Sequence, residues 1–542
     1  MVGFSSLRPI LLHESLTLTA LATPDGQLIV SPQGSAYTAS EVARLAENLS
    51  GVLQHIGLTR DQRCAVYLPK TILAATAVYA IAAAGAVIVP INPLLKAQQV
   101  QHILDDCSAS ILITSAERVA SLQSIIGSCS ALRHILIEPS EERSVPFGIP
   151  ATALPEAFDA GLPYKSCART DSDMAAILYT SGSTGRPKGV VLSHRNLLEG
   201  AGCVAEYLQI RAHDRLLAVL PFSFDYGLNQ LTSAVLRGAT CVLHDFLFGR
   251  DVVNAIEKNA ITGLAGVPTL WARLAELDWP ARARSSLRYM TNSGGALPSG
   301  LQARLRAKLP TTRLYLMYGL TEAFRSTYLP PELLDAKPGS IGKAIPNQEI
   351  FVVRNDGSLC APDEPGELVH RGSLVSMGYW NDPESTHQRF KPAPGKPAAL
   401  PLEELAVWSG DTVRVDADGY LFFVARNDAM IKTSGYRVSP EEIEEVVCSL
   451  ATVRQAAAIG VPDAELGHRV VVLVEPESDQ NVDVDGIRQH CRRVLPAFMV
   501  PSEIIALKAL PLNPNGKVDR QTLTLQFSHP DEIQSSTQAG DV

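Results

Sequence analysis

The chain has 542 residues, of which 46% are hydrophobic and 19% charged, so it is globular and long enough for about two to four domains. Its net charge of −9 and its isoelectric point near 5.8 argue against nucleic acid as a general partner. Its nine cysteines include no Cys-x-x-Cys pair, which is typical of reduced thiols in a cytoplasmic protein and gives no zinc signature.

Strand-like apolar runs alternate with helical patterns through the first 340 residues. The strand-like runs are 63–68, 111–114, 135–137, 174–179 and 240–243, and helical patterns include 39–56 and 301–309. This alternation predicts an α/β organisation with mainly parallel sheets. Residues 72–89 carry no charge over eighteen positions, but they are rich in Ala and Gly and are closed by Pro90. We therefore expect a buried helix that runs into a strand, and no membrane insertion.

The sequence pattern changes from about residue 339 onward. Shorter strand runs at 349–353, 366–370 and 419–424 are separated by Gly, Pro and Asp turns, which predicts a small β-rich subdomain. Past residue 438 come a helix at 440–450, strands near 456–460 and 469–474, a helix at 484–495 and a closing loop. This last unit has about the size of an independent domain.

The segment 179–189 reads Y-T-S-G-S-T-G-R-P-K-G and follows the apolar run 174–179. Residues 181–185 are small or hydroxylated, so their backbone N–H groups can approach a polyphosphate closely. Lys188 adds a positive charge for phosphate oxygens. The spacing G-x-x-x-x-G-K-[ST] of a Walker A loop is absent. Taken alone, the segment also fits an ordinary surface turn.

Four further segments suit the other parts of a nucleotide. The ring of Tyr318 can stack on a purine, and Glu322 four residues later can hold Mg²⁺. Residues 293–296 offer exposed backbone to base edges, and Asp411 lies on a tight turn where it can accept ribose hydroxyls. Lys517 lies on a Gly-flanked loop. Taken singly, each of these also fits a plain turn or a solvated side chain.

Taken jointly, segments 180–189, 318–322, 408–411, 426–437 and 515–520 resemble the adenylate-forming superfamily in order and spacing. This family includes acyl-CoA synthetases, amino-acid adenylation domains and luciferases; the chain is also similar to prolyl-carrier-protein ligases and exosortase-associated acyl-CoA ligases. The resemblance runs from about residue 37 to residue 520. It implies an α/β fold whose large N-terminal domain has two α/β sheets plus the small β-rich subdomain, and a mobile, small α+β C-terminal domain. The expected boundaries are 1–427 for the adenylation core, with the β-rich part at about 339–427, then 428–527 and a flexible tail at 528–542.

The resemblance also implies cofactors and roles for individual residues. ATP and Mg²⁺ are the expected cofactors, and CoA or the 4′-phosphopantetheine of a separate carrier protein is the expected acceptor. The implied ATP-binding residues are Thr180, Ser181, Gly182, Ser183, Thr184, Gly185, Lys188, Gly294, Gly295, Ala296, Tyr318, Gly319, Asp411 and Arg426. The implied catalytic residues are Lys517, Lys188, Glu322 and Thr321, with Glu322 as the metal ligand; Asp428 is the implied hinge, and Gly435 and Arg437 are implied to serve thioester formation. One departure is Ala425, where the family usually has Gly.

The acid substrate depends on the segment around Asp225. Phe224 and Asp225 resemble the Phe-Asp pair of amino-acid adenylation domains, where the carboxylate binds the substrate ammonium; a carboxylate in an apolar pocket needs such a cation. Asp225 equally fits the N-cap of a helix at 226–235. The predicted substrate-binding residues are Phe224, Asp225, Tyr226, Asn229 and Met317.

Three functions remain open from the sequence. The favoured one is a ligase that loads a small amino or imino acid, such as L-proline, onto a carrier protein, because bulky residues at 226, 317 and 318 would crowd a long chain. The alternative is a fatty- or aryl-acid CoA ligase. A nucleotide-binding protein without ligase activity is disfavoured, because Lys188, Glu322, Asp411 and Lys517 are all present.

Overall fold

The computed structural model describes residues 8–138, 149–153, 161–180, 187–396, 399–426, 430–450, 452–477, 482–511 and 518–528. The helices are α1 Leu12–Ala22, α2 Ala39–His55, α3 Ile72–Ala83, α4 Ala97–Asp106, α5 Ala116–Ser121, α6 His194–Tyr207, α7 Asp225–Arg237, α8 Gly249–Asn259, α9 Pro268–Ala275, α10 Ala281–Ser286, α11 Ser299–Lys308, α12 Pro383–Arg389, α13 Pro440–Cys448, α14 Val484–Val494 and α15 Arg520–Ser528. The strands up to the middle of the chain are β1 Gln27–Val30, β2 Ala36–Thr38, β3 Arg63–Tyr67, β4 Val87–Pro90, β5 Ile111–Ser115, β6 His134–Glu138, β7 Ala151–Ala153, β8 Met174–Thr180, β9 Lys188–Ser193, β10 Arg215–Ala218, β11 Thr240–Leu243, β12 Gly263–Gly266 and β13 Tyr289–Asn292. The later strands are β14 Arg313–Tyr318, β15 Thr327–Leu329, β16 Ser340–Ala344, β17 Gln348–Val353, β18 Gly366–Gly372, β19 Phe390–Pro392, β20 Leu405–Val415, β21 Leu421–Arg426, β22 Ile431–Thr433, β23 Tyr436–Val438, β24 Val453–Asp463, β25 Gly467–Pro476 and β26 Glu503–Ala506.

One sheet of the N-terminal part has seven strands in the order β7-β6-β5-β3-β4-β8-β9. Its pairs are parallel except the antiparallel pair of β8 with β9. The apolar run that begins at residue 72 forms α3 and then β4, and every residue from Leu73 to Ala83 is buried. This confirms the predicted helix and strand. No helix in the described ranges combines the length and the hydropathy that a bilayer crossing requires.

The larger sheet has fourteen strands and contains both a parallel and an antiparallel part. Its order is β17-β18-β20-β21-β16-β15-β14-β13-β12-β10-β11-β1-β2, with β19 on β20. The pairs from β14 to β1 are parallel, and those from β14 to β17 are antiparallel. The predicted β-rich strands exist, but they continue this sheet. Strand β15 pairs with β14, the last parallel strand, β16 pairs with β15, and β21 pairs with β16.

The C-terminal unit has its own sheet, β23-β22-β25-β24 with β26 on β25, covered by α13 and α14. Its core is a separate cluster that includes Val438, Ile443, Val447, Val472 and Ile487. The sequence predicted a loop after residue 495, whereas the structure adds β26 and α15 there. Strand β26 is short and α15 has a weakly amphipathic pattern, so neither gives a clear periodic signal.

The C-terminal unit lies against the N-terminal part at the ends of the parallel strands. Gly435 has φ +82°, and a Cβ atom placed on it would lie 2.9 Å from Val267 Cγ2. The neighbouring Tyr436 ring stacks on Phe498 at 3.8 Å between centroids and meets Phe224 edge-on at 5.1 Å. Gln99 donates a 3.4 Å hydrogen bond to Glu442. The turn between β22 and β23 thereby becomes part of the candidate site.

Candidate active site

A cavity of about 180 Å³, here called the main cavity, lies where several strands end. Its wall includes Thr180 at the end of β8, Ser293 and Gly294 after β13, and Tyr318 at the end of β14. The C-terminal unit contributes Gly435, Arg437 and Glu442 among others. The carboxyl ends of parallel strands are the usual ligand site of open α/β sheets. The structure therefore brings together motifs that the sequence holds more than 250 residues apart.

The predicted adenosine residues meet on one side of the main cavity. The Tyr318 hydroxyl donates a 2.5 Å hydrogen bond to Asp411 Oδ2, and the Asp411 side chain is buried. Asp411 on β20 pairs in register with Arg426 on β21, whose side chain is outside the described part. Gly294 and Gly319 line the cavity, but Gly295 and Ala296 lie outside its wall. A phenol and a carboxylate in this arrangement can present a ring face and an acceptor to a nucleoside.

Glu322 is a buried carboxylate directly after the cavity residue Thr321. Its Oε1 accepts a 2.6 Å hydrogen bond from the Tyr379 hydroxyl. Burial alone would raise the pKa of Glu322, but the positive charges of Arg389 and Arg437 and the Tyr379 hydrogen bond outweigh it and lower the pKa. The carboxylate is therefore ionised at neutral pH.

The second oxygen of Glu322, Oε2, is buried and has no hydrogen-bond partner among the described residues. Mg²⁺ is usually held by one or two carboxylates together with substrate phosphates. No group of three metal-ligating side chains occurs in the described ranges, so the remaining ligands would come from a nucleotide and water. An ionised carboxylate oxygen without a partner fits the predicted metal ligand.

Tyr379 and Arg389 were not predicted from the sequence. Tyr379 holds Glu322, and Arg389 lies close enough to Glu322 and Asp411 that these carboxylates raise its pKa although burial lowers it. Residues 377–380 pair with β9, which brings this segment beside the end of the 179–189 motif. The sequence offered only a weak signal for this part of the site: the aromatic pair Tyr379 and Trp380 stands just before a helix start at Asp382 and Pro383.

Lys188 starts β9 and is already engaged by neighbouring side chains. Its Nζ donates a 2.5 Å hydrogen bond to Ser385 Oγ and lies 3.2 Å from Asp382 Oδ2. It also lies 5.6 Å from the centre of the Tyr379 ring. To contact a phosphate, Lys188 would exchange its Asp382 partner for the phosphate. The predicted residues Ser181, Gly182, Ser183, Thr184, Gly185, Asp428 and Lys517 lie outside the described residues.

Of the two roles predicted for Asp225, the structure contradicts the helix N-cap. The N-cap of α7 is Phe224, and Asp225 is the first helical residue, so Asp225 does not cap the helix. Its cationic partner is part of the chain: Arg325 Nη1 lies 2.8 Å from Asp225 Oδ2, and Arg325 is buried. Burial raises the pKa of Asp225, and Arg325 opposes that rise. The cation that this carboxylate was expected to need is therefore present in the chain as Arg325, which the sequence spacing did not reveal.

The other predicted substrate residues divide between two cavities. Phe224 and Tyr226 line the main cavity, and Tyr226 also lines a smaller cavity of about 30 Å³, here called the inner cavity. Asn229 and Met317 line only the inner cavity. The Tyr226 hydroxyl shares a 2.5 Å hydrogen bond with Thr291 Oγ1. This bond fixes the Tyr226 ring between the main and the inner cavity.

Comparison with known families decides the assignment. The family model "AMP-binding enzyme" matches residues 16–380, and the model "AMP-binding enzyme C-terminal domain" matches residues 442–517. The chain belongs to the family of AMP-binding enzymes. The resemblance to adenylate-forming enzymes and the α/β fold with a small C-terminal domain are thereby confirmed.

Relatives of this AMP-binding enzyme differ in length and in name. Novobiocin biosynthesis protein H of Streptomyces niveus is 30% identical over 99% of the chain and 86% of its own length. A long-chain-fatty-acid–CoA ligase of Salmonella typhimurium is 29% identical over 87% of the chain and 86% of its own length. Tyrocidine synthase 3 of Brevibacillus parabrevis is 29% identical over 94% of the chain, which spans only 8% of that protein. Among solved structures, o-succinylbenzoate CoA synthetase of Bacillus subtilis matches with a TM-score of 0.81 at 24% identity, over 94% of the chain and 98% of its own.

In this AMP-binding enzyme a third cavity, of about 450 Å³, continues from the main cavity and is here called the outer cavity. The two share Leu220, Phe224, Val267, Gly435 and Tyr436. Lys70, Arg118 and Arg273 contribute positive charge to its wall, and Lys70 forms an ion pair with Asp245. Its lining also includes the exposed side chains of Leu94 and Leu247. Gly435 belongs to the part of the wall that the outer cavity shares with the main cavity.

Proposed function

We propose that this protein is an AMP-forming acid–thiol ligase, which converts a carboxylic acid and ATP to an acyl-adenylate and pyrophosphate and then transfers the acyl group to a thiol. The observation that carries the proposal is the composition of the main cavity. Nucleotide-binding candidates of the N-terminal part, such as Tyr318 and Asp411, share its wall with Gly435 and Arg437 of the C-terminal unit. One cavity can thus serve both half-reactions.

The first half-reaction brings a carboxylate to the α-phosphate of ATP, so like charges must meet. Thr321 and Glu322 lie beside the main cavity, and Glu322 has an oxygen suited to Mg²⁺. When bound, Mg²⁺ would reduce the repulsion and stabilise the charge that develops on the phosphates. The family resemblance assigns Lys188 and Lys517 the same electrostatic task. The acyl-adenylate is easily hydrolysed, and the burial of Glu322 and Asp411 indicates a site from which water is largely excluded.

The second half-reaction needs a route for a thiol, and the outer cavity supports one. Its basic residues Lys70, Arg118 and Arg273 suit the phosphate of a phosphopantetheine arm. In its lining, Leu247 is 81% exposed, and Phe248, the next residue in the chain, is 70% exposed. Exposed apolar side chains of this size favour contact with a protein over contact with the polar nucleotide of CoA. We therefore favour a separate carrier protein over free CoA as the acceptor.

Docking of the C-terminal unit should depend on pH through Glu442. Burial at the contact with Gln99 raises the pKa of Glu442 to about 7 from its ordinary value of 4.5. Between about pH 4.5 and 7 the exposed Glu442 carboxylate of the undocked unit is ionised, whereas the buried one stays protonated. The docked arrangement is therefore most stable below about pH 4.5 and loses stability as pH rises toward 7. We expect Glu442→Gln to speed thioester formation from supplied acyl-adenylate at pH 8, with the two enzymes converging toward pH 5. Parallel rate–pH profiles in single-turnover assays would contradict this role.

Two acid classes remain candidates for the substrate. L-proline or another small amino or imino acid is supported by the Asp225 carboxylate in the wall of the main cavity and by the small space beyond it. A fatty or aryl acid is supported by the Asp225–Arg325 pair, which already balances the carboxylate without a substrate amine. Pyrophosphate release measured across amino acids and plain carboxylic acids separates the two classes. No release with any acid in the presence of ATP and Mg²⁺ would overturn the ligase proposal itself.

Replacement of Asp225 with Asn tests whether the carboxylate balances Arg325 or binds a substrate amine. We expect Asp225→Asn to lower the thermal midpoint and to reduce activation of every acid, because removal of one member of a buried ion pair costs about 3–5 kcal/mol. Asp418→Asn is a control, because Asp418 is an exposed partner of Lys337 and lies outside the three cavities. An unchanged midpoint together with a loss confined to amino acids would instead show that Asp225 binds the substrate amine.

A further inference from the structure

The inner cavity holds several polar side chains that have unused hydrogen-bonding groups. Arg325, Asn229 and Gln230 line it and are only 2%, 3% and 8% exposed, respectively. Arg325 directs one nitrogen, Nη1, to Asp225 and to the carbonyl oxygen of Phe324. Its Nε and Nη2, Asn229 Nδ2, and both terminal atoms of Gln230 have no hydrogen-bond partner among the described residues.

Such groups are costly in a folded protein. A buried donor or acceptor without a partner loses about 1–3 kcal/mol relative to water, and more when it is charged. Most buried polar atoms in native structures are therefore paired, and a group of unpaired ones indicates a missing ligand or water. Here four donor nitrogens and one acceptor oxygen from three side chains line one small space. Their excess of donors suits an occupant that is mainly an acceptor.

The position of the inner cavity identifies that occupant. Tyr226 and Arg325 line both the inner and the main cavity, so the inner cavity adjoins the site where the acid would react. Its volume of about 30 Å³ is enough for one small substituent but not for an alkyl chain. Met317 and Leu216 close part of its wall. The far end of a short acyl chain could therefore reach the polar groups and go no further.

We propose, on the basis of the proposed ligase function, that the substrate is a short carboxylic acid whose far end carries a neutral oxygen acceptor, a carbonyl or a hydroxyl, bound by Arg325 and Gln230. A second carboxylate fits less well. Asp225 already balances the Arg325 charge at 2.8 Å, and an added negative group bound by Arg325 would be repelled by Asp225. A neutral acceptor uses the unpaired donors without adding charge.

Matched acids test the preference in the wild-type enzyme. Pentanoic, 4-oxopentanoic and pentanedioic acids all have five carbons and differ only in the last two: C4 carries a carbonyl in the second, and C5 is a carboxylate in the third. We expect kcat/KM for pyrophosphate release to be at least about tenfold higher with 4-oxopentanoic acid than with either of the others, because a site built for a hydrogen bond discriminates against the analogue without it. Equal or higher kcat/KM for pentanoic acid would overturn the inference while leaving the ligase function intact. Absence of pyrophosphate release with these and all other acids would instead overturn the function.

Gln230→Leu tests whether Gln230 causes this preference, because Leu has nearly the same volume as Gln but no hydrogen-bonding group. We expect it to raise KM for 4-oxopentanoic acid more than it lowers kcat and to reduce the oxo-to-plain ratio about fivefold or more, since one hydrogen bond is lost. Gln123→Leu is the matched control, because Gln123 is exposed and lies outside the three cavities. If Gln230→Leu does not fold, Gln230→Met provides the same comparison. A ratio that stays unchanged in a folded variant would show that these amides hold water only, and the inference would fail.

Discussion

Replacement of Gly435 with Ala is expected to slow thioester formation and to spare acyl-adenylate formation. An added Cβ would lie 2.9–3.1 Å from three atoms of Val267, so the C-terminal unit could not dock as it does here. Overpacking of this kind costs about 1–3 kcal/mol, which corresponds to a loss of about 5- to 150-fold in the docked half-reaction. The measurement is a pair of single-turnover assays, one for acyl-adenylate formation and one for thioester formation from supplied acyl-adenylate.

Val267→Ala provides the control for this expectation. It removes the two Cγ atoms nearest to the new side chain, so the double variant should recover part of the thioester activity. Lys517→Ala should give the opposite pattern, because the family resemblance implies that Lys517 serves adenylation only. Equal losses in both half-reactions for Gly435→Ala, without rescue by Val267→Ala, would argue against a site used in two arrangements.

Replacement of Glu322 with Gln should abolish most acyl-adenylate formation. The change keeps the side-chain shape and an acceptor for the Tyr379 hydroxyl, but removes the negative charge that Mg²⁺ would require. The loss of one group that stabilises the transition state typically costs about 10²–10³ in kcat. We expect a loss of that size in pyrophosphate release, with a higher Mg²⁺ concentration needed for half-maximal rate.

The control for Glu322 is Glu403→Gln, because Glu403 is exposed and lies outside the main cavity. Thermal midpoints should be compared as well, since Glu322 is surrounded by Arg389 and Arg437. A large fall in midpoint with a normal Mg²⁺ dependence would mean that Glu322 balances these arginines and has no part in metal binding.

The sequence predicted those parts of the fold that local patterns encode. The continuous apolar runs appear as β3, β5, β6, β8 and β11, because parallel strands buried on both faces contain few polar positions. The helical pattern at 39–56 predicted α2, which starts with a Thr38 capping box. The continuation of the larger sheet into β16 and β21 was not predictable, because it depends on pairing between segments about 80 residues apart.

The candidate site shows the same division between local and long-range information. Tyr318, Glu322 and Asp411 could be identified because each lies in a short motif with a family resemblance. Arg325, Tyr379 and Arg389 could not, because their roles arise from contacts across the fold: Arg325 meets Asp225 over a separation of 100 residues, and Tyr379 meets Glu322 over 57. A charge that looks unbalanced in sequence can have its counterion anywhere in the chain.

The proximity of Arg437 to Glu322 would couple cation binding at Glu322 to the docking of the C-terminal unit. Arg437 belongs to the C-terminal unit, and its charge helps to keep the Glu322 carboxylate ionised. A divalent cation at Glu322 would compete with Arg437 for the same negative charge. A cation bound there and the docked C-terminal unit would therefore be antagonists, and by thermodynamic reciprocity each would weaken the binding of the other. Without the cation, Arg437 would regain the full charge of Glu322, which would favour the docked arrangement.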